Sequence, residues 1–210
     1  MKRSIIALAF AGLITGLTSC GGKEEQTTEQ VKEEKACFYS YNKEMTVLEW
    51  TAFKFTEKKG VTGTFNEINI SGIERSDDPK KLIESLSFKI PTATVETQNE
   101  ERNGKIAKLF FGTIGTEEIN GKVKSLSDNG KATIQIEMNG MKQDVVGDYT
   151  LEEGKFSFNA TIDVMKWNGD AGITALNTAC KDLHTGTDGK SKLWSEVELS
   201  FTTELLSDCE

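Results

Sequence analysis

Few residues in this chain have the type and spacing to do chemistry. His184 is the only histidine among 210 residues, and Cys180 stands four positions before it. On a helix that spacing puts both side chains on one face. There they would supply two ligands to a metal or haem, or a Cys–His nucleophile pair. Two ligands fall short of a tetrahedral zinc site, and no further His or Cys clusters nearby in sequence. A Ser–His–Asp triad would have to use His184, yet no Gly-x-Ser-x-Gly turn is present to carry the serine. The plain reading is a half-buried Cys and a helix-terminal His near the favourable end of the helix dipole. The 33 acidic residues are marked by no spacing, and most alternate onto wet strand faces. The expectation is a protein that is not an enzyme, with no catalytic residue, no metal site and no cofactor.

The other cysteines point elsewhere. Lys2 and Arg3 precede a mostly apolar run over residues 5–17, which ends in Leu17-Thr18-Ser19-Cys20. The run is too short for a membrane-spanning helix and right for the apolar region of a signal peptide. Its end resembles the lipobox of bacterial lipoproteins, which implies cleavage before Cys20 and a lipid on its thiol. Residues 1–19 are thus expected to be a signal peptide and 20–36 a lipidated Cys with an acidic tether. Residues 37–210 remain as the folded domain. Buried acyl chains add about 0.8 kcal/mol per CH2, so several chains anchor durably. Glycine rather than aspartate follows Cys20, which resembles outer-membrane lipoproteins. The expected location is the bacterial cell envelope, on the periplasmic face of the outer membrane or the cell surface. An exported location permits disulfides. Cys37 and Cys209 flank the folded part, and in a closed antiparallel barrel such ends are neighbours, which favours a Cys37–Cys209 bridge. Three free thiols are the alternative.

The elements that would position these residues are strands. Hydrophobic residues make up 37% of the chain and charged residues 28%, which suffices for a core and excludes global disorder. The net charge of −8 disfavours nucleic acid, whose binding relies on Lys and Arg. Ala132, Ile134, Ile136 and Met138 alternate with polar residues; so do Phe156, Phe158, Ala160, Ile162 and Val164, and again Val197, Leu199 and Phe201. One wet face and one dry face mark antiparallel sheet. Asn129-Gly130, Asn139-Gly140 and Glu153-Gly154 read as hairpin turns. Two stretches shift phase, at Ala52/Phe53 and between Phe65 and Ile68, where a bulge would re-aim the side chains. Helical spacing is confined to 98–111 and 171–183, with one more turn at 79–85. The expected fold is all-β: an eight-stranded antiparallel barrel with short helical insertions, able to hold a small ligand.

Val47-Leu48-Glu49-Trp50-Thr51-Ala52-Phe53-Lys54-Phe55 followed by Gly60-Val61-Thr62-Gly63-Thr64-Phe65 resembles the opening of the YceI-like polyisoprenoid-binding family. So does the segment from Thr97 through Arg102-Asn103 to Phe110-Phe111, although Asn103 stands where many members have Asp. Gly147-Asp148-Tyr149-Thr150-Leu151 is similar to a later strand of that family, without its usual His-Gly turn. The resemblance spans residues 45–204 and points to a lipoprotein branch. It implies a lipocalin-like barrel around a long isoprenoid or other amphiphilic lipid, such as a quinone precursor. Trp50, Phe88, Phe110, Ile134, Phe156, Phe158, Leu199 and Phe201 are the candidate ligand-binding side chains on the apolar wall, with Arg102 and Lys105 at the mouth. The expected partners are that lipid and, through the anchor, a membrane. A homodimer stays open. The same wall residues would otherwise fill a solid barrel. The alternative is then a structural or stress-related envelope protein without ligand; a third reading is an enzyme or redox protein using Cys180 and His184.

Overall fold

The computed structural model describes residues 36–209. The signal segment, Cys20 and nearly all of the tether lie outside the described residues. The alternating stretches do form strands, and glycine turns set their register. Asn139-Gly140 and Glu153-Gly154 each place both residues at positive φ (51° and 68°, 50° and 78°). That is the two-residue turn whose twist matches flanking strands.

The strands are β1 (Cys37–Ser40), β2 (Thr46–Lys54), β3 (Lys59–Phe65), β4 (Asn69–Ser71), β5 (Ser87–Pro91) and β6 (Val95–Glu96). They continue as β7 (Glu118–Ser127), β8 (Lys131–Met138), β9 (Met141–Glu152), β10 (Lys155–Asp163), β11 (Leu193–Glu204) and β12 (Leu206–Cys209). Ten of them form one antiparallel sheet in the order β4-β5-β7-β8-β9-β10-β11-β2-β3-β6, and β1 pairs with β12 in a separate ribbon. The helices are α1 (Pro79–Glu84), α2 (Glu100–Lys105), α3 (Asp170–Ala179) and α4 (Lys181–His184), with a π-helical turn at Ile106–Phe111.

The expected closed eight-stranded barrel is therefore corrected to a curled ten-stranded sheet. Its edge strands β4 and β6 do not pair with each other. The phase shift after Phe65 explains the difference. It is not a bulge within one strand. β3 and β4 belong to opposite ends of the sheet, and the chain crosses between them with its inward phase reset. The phase shift at Ala52/Phe53 does face a bulge, but on the partner strand, between Leu193 and Val197 of β11. There β2 stops, with Phe55 held at φ 63°, a conformation unfavourable for a bulky residue.

Two helical expectations also change. The 98–111 segment is α2 followed by a π turn, a feature frequent at functional sites. The 171–183 segment breaks at Cys180, whose φ of −111° lies outside the helical range. Cys180 and His184 consequently do not share one continuous helix.

Lengthwise the molecule is uneven. At the end where β8 and β10 begin, Ile134, Phe156, Phe158, Leu126 and Ala132 are buried in one cluster with Leu82 and Ile83 of α1. Phe156 stacks with Tyr149 (6.0 Å) and meets Phe201 edge-on (6.1 Å). This end is solid. Cys37 and Cys209 lie opposite each other in the β1–β12 ribbon and are joined by a disulfide. Cys180 is buried with its thiol unpaired.

Candidate functional site

The other end is hollow. A cavity of about 410 Å3 opens where β2 ends and β11 begins. Inward residues of β2, β11 and β10 (Leu48, Trp50, Ala52, Leu193, Val197, Leu199, Ile162) line its wall. Phe88 and Ile90 of β5, with Ile136 and Met138 of β8, line it from the facing strands. The helical insertions roof it with Ile106, Phe110 and Phe111 of the π turn and Ile173 and Leu176 of α3. The π turn presents Phe110 and Phe111 side by side, their rings 5.0 Å apart and edge to face. Gly172 lets the two roof pieces meet: a Cβ there would come 2.7 Å from the Phe110 ring. Such a wall offers an apolar chain burial from water at about 25 cal/mol per Å2 and demands no polar partner along its length.

Polar groups gather only at the mouth. The Arg102 Nε donates to Thr97 Oγ1 (2.8 Å), and Nη2 donates to the Thr97 carbonyl (2.7 Å). Asn103 Oδ1 accepts from the Thr97 amide (2.8 Å) and hydroxyl (2.6 Å), while its Nδ2 donates to Glu96 (3.1 Å). That last bond, then the Gln98 amide, holds the Glu96 carboxyl below its ordinary range. The Thr-Arg-Asn set thus ties α2 to β6, and Asn103 keeps the accepting oxygen an Asp would offer. Lys105 pairs with Glu101 one turn away (2.6 Å). Lys54 Nζ donates to the Leu183 carbonyl (3.0 Å). Burial, with repulsion from Lys59 and Arg102, lowers its pKa.

His184 also faces the cavity. Asn177 Oδ1 accepts from the His184 Nδ1–H (3.0 Å) and from Ser191 Oγ (3.2 Å), which leaves Nε2 as a neutral acceptor. Burial and then Lys54 push its pKa below the ordinary 6.5. Among the described residues, no group of three or more His, Cys, Asp or Glu is placed to hold a metal ion. No helix among them is long and apolar enough to cross a membrane.

Of the side chains picked out in the sequence, Trp50, Phe88, Arg102, Lys105, Phe110 and Leu199 line the cavity. Ile134, Phe156, Phe158 and Phe201 do not; they belong to the solid end. Alternation tells which face of the sheet a residue occupies but not its height along the strand. The sequence reading missed Lys54, the roof residues Ile173 and Phe111, and Trp194. For the roof, the apolar stripe of the 171–183 segment was the available signal.

The YceI-like domain family model matches residues 39–205. The chain belongs to this family. Its YceI-like fold is shared with a solved polyisoprenoid binding domain from Saccharophagus degradans implicated in plant cell wall breakdown. The TM-score there is 0.57 at 14% identity, covering 84% of this chain and 99% of that one. Burkholderia cenocepacia BcnA is similar too, with TM-score 0.53 and 14% identity over 80% of this chain and 99% of its own. At such identity the likeness is one of fold. No curated protein matches the chain.

Proposed function

We propose that this YceI-like chain is a carrier or store for an elongated amphiphilic lipid of polyisoprenoid or quinone type, held tail-inward in the cavity. The observation that carries the reading is the apolar cavity of about 410 Å3, walled by strands and roofed by aromatic residues, with polar groups confined to its mouth. The volume falls within the range of about 300–1,000 Å3 usual for ligand sites. A buried tail gains roughly 0.8 kcal/mol per CH2 without directional contacts, which suits an isoprenoid chain that offers none. At the mouth, His184 Nε2 and the Lys54 and Arg102 charges suit a hydroxyl, carbonyl or anionic head group. The family and the polyisoprenoid binding domain from Saccharophagus degradans support the ligand class.

The same proposal places the protein in the bacterial envelope, anchored through Cys20, and treats it as non-catalytic. It rests there on the signal segment and lipobox-like residues of the sequence. The test is native mass spectrometry of protein isolated from its own cells. A bound lipid of isoprenoid mass is the expected result. A protein that is empty, and that also refuses added polyisoprenols, would overturn the carrier reading.

A further inference from the structure

The cavity mouth is ringed by an unusual set of side chains for a water-facing edge. Leu183, on α4, is 60% exposed. Phe53, Phe55 and Trp194 are half-buried beside it. Lysines lie over these rings: Lys192 Nζ is 3.4 Å and Lys58 Nζ 4.5 Å from the Trp194 ring, and Lys54 Nζ is 4.7 Å from Phe55. Trp194 Nε1 donates to the Phe55 carbonyl (2.7 Å), which fixes the indole in place. Aromatic bodies with polar tips and lysines on long apolar stems suit a bilayer surface, where one end of each side chain is dry and the other wet.

Charge points the same way. The mouth segments 53–59, 99–108 and 181–196 hold nine basic and six acidic residues, in a chain of net charge −8. Some of these charges are spent locally: Lys58 pairs with Glu196, Lys105 with Glu101, and Asp188 accepts from Thr56. The basic excess is nevertheless set around the opening, while the remainder of the chain carries the negative charge. These segments, with their basic excess, are the ones a negatively charged surface would attract.

We propose that the mouth rim is a docking surface for an anionic lipid bilayer, with Leu183 and Trp194 entering the head-group layer and the lysines facing lipid phosphates. The opening would then sit against the bilayer, and a tail could pass between bilayer and cavity without crossing water. The purpose of the docking rests on the lipid-cavity reading; its test does not.

The test uses the fluorescence of the three tryptophans with vesicles whose acyl chains carry bromine, a contact quencher. The full chain is mixed with brominated phosphatidylcholine vesicles, with and without phosphatidylglycerol. Trp167 is wholly buried and Trp50 lies in the cavity wall, while Trp194 borders both cavity and rim, so Trp50 reports cargo entry and quenching of Trp194 without Trp50 reports docking. Expected is quenching on the anionic vesicles that weakens with salt and largely disappears in Trp194→Phe. Lys59→Glu with Lys192→Glu should weaken docking about tenfold or more, and Leu183→Asp, at an exposed position, should weaken it as well. An N-terminal lipid anchor would hold every variant on the vesicle without bringing Trp194 into contact. Quenching that persists in Trp194→Phe reports lipid uptake through Trp50 without docking and overturns the proposal. So does equal quenching on neutral vesicles, or no quenching at all, the outcome for a rim that binds an acidic protein instead. Quenching of Trp194 without Trp50 supports docking and leaves the carrier reading to the polyisoprenol test, since the vesicle phospholipid is not the proposed cargo.

Discussion

Trp50 lies flat in the cavity wall because the residue across from it has no side chain. A Cβ on Gly63 would come 2.3 Å from the indole. Gly63→Val therefore drives the ring into the cavity. The expected cost is about 1–3 kcal/mol of stability and roughly a tenfold loss of lipid affinity, read by denaturant titration and lipid binding. His184 supplies a pH dependence. Its folded pKa is depressed by burial, so the unfolded chain takes up a proton first as pH falls. The stability that the neutral ring permits is complete above 6.5 and lost as pH drops through the lower folded value. His184→Gln should flatten that part of the stability–pH profile, measured by unfolding at neutral and mildly acid pH. An unchanged profile would show that the ring charges without cost. At this scale the sequence was partly readable. Arg102 stood out through its motif, but its commitment to Thr97 did not, because that bond depends on how α2 returns to β6. Lys54 carried no signal: a lysine at a strand end is ordinary until a helix carbonyl arrives above it.

Among the elements, the β1–β12 ribbon is the part most separable from the site. It lies at the solid end, and its disulfide spans 172 residues of sequence. Cys37→Ser with Cys209→Ser should cost about 2–5 kcal/mol by releasing a wide loop in the unfolded chain. Lipid affinity should stay unchanged, since neither residue nor its neighbours reach the cavity. A parallel loss of binding would mean that the ribbon also shapes the mouth. Strand assignment followed well from alternation, as in β8 and β10, because one face of each is dry. What alternation could not give was membership: the segment spanning Phe65 to Ile70 reads as one irregular strand, and only long-range pairing shows it to be two. The break at Cys180 was hidden for a related reason. The apolar stripe runs on through it, since both helix pieces cover the same opening.

For the whole molecule, the decisive property is that one curled sheet is filled at one end and empty at the other. A cavity can be filled by mutation, and Ala52, on its wall, is the place to do so. Ala52→Phe should raise stability by about 0.5–2 kcal/mol, as cavity-filling changes commonly do, and abolish lipid binding. A rise in melting temperature together with lost binding is the expected pair; retained binding would place the lipid elsewhere. The split between full and empty was not legible, because dry strand faces look alike at both ends. Phe158 and Leu199 satisfy the same alternation, yet one packs a core and the other borders a void. The stapled pole has a mechanical consequence. β2 starts and β11 finishes there, paired directly at Thr46 and Thr203, and the disulfide ties the segment leading into β2 to the ribbon leaving β11. Tension entering through the N-terminal side of Cys37 is thus shared by both strands at once, tugging them in the same direction. Unzipping would require drawing them apart, so the load passes to the sheet as a block and the rim at the far pole keeps its shape under strain.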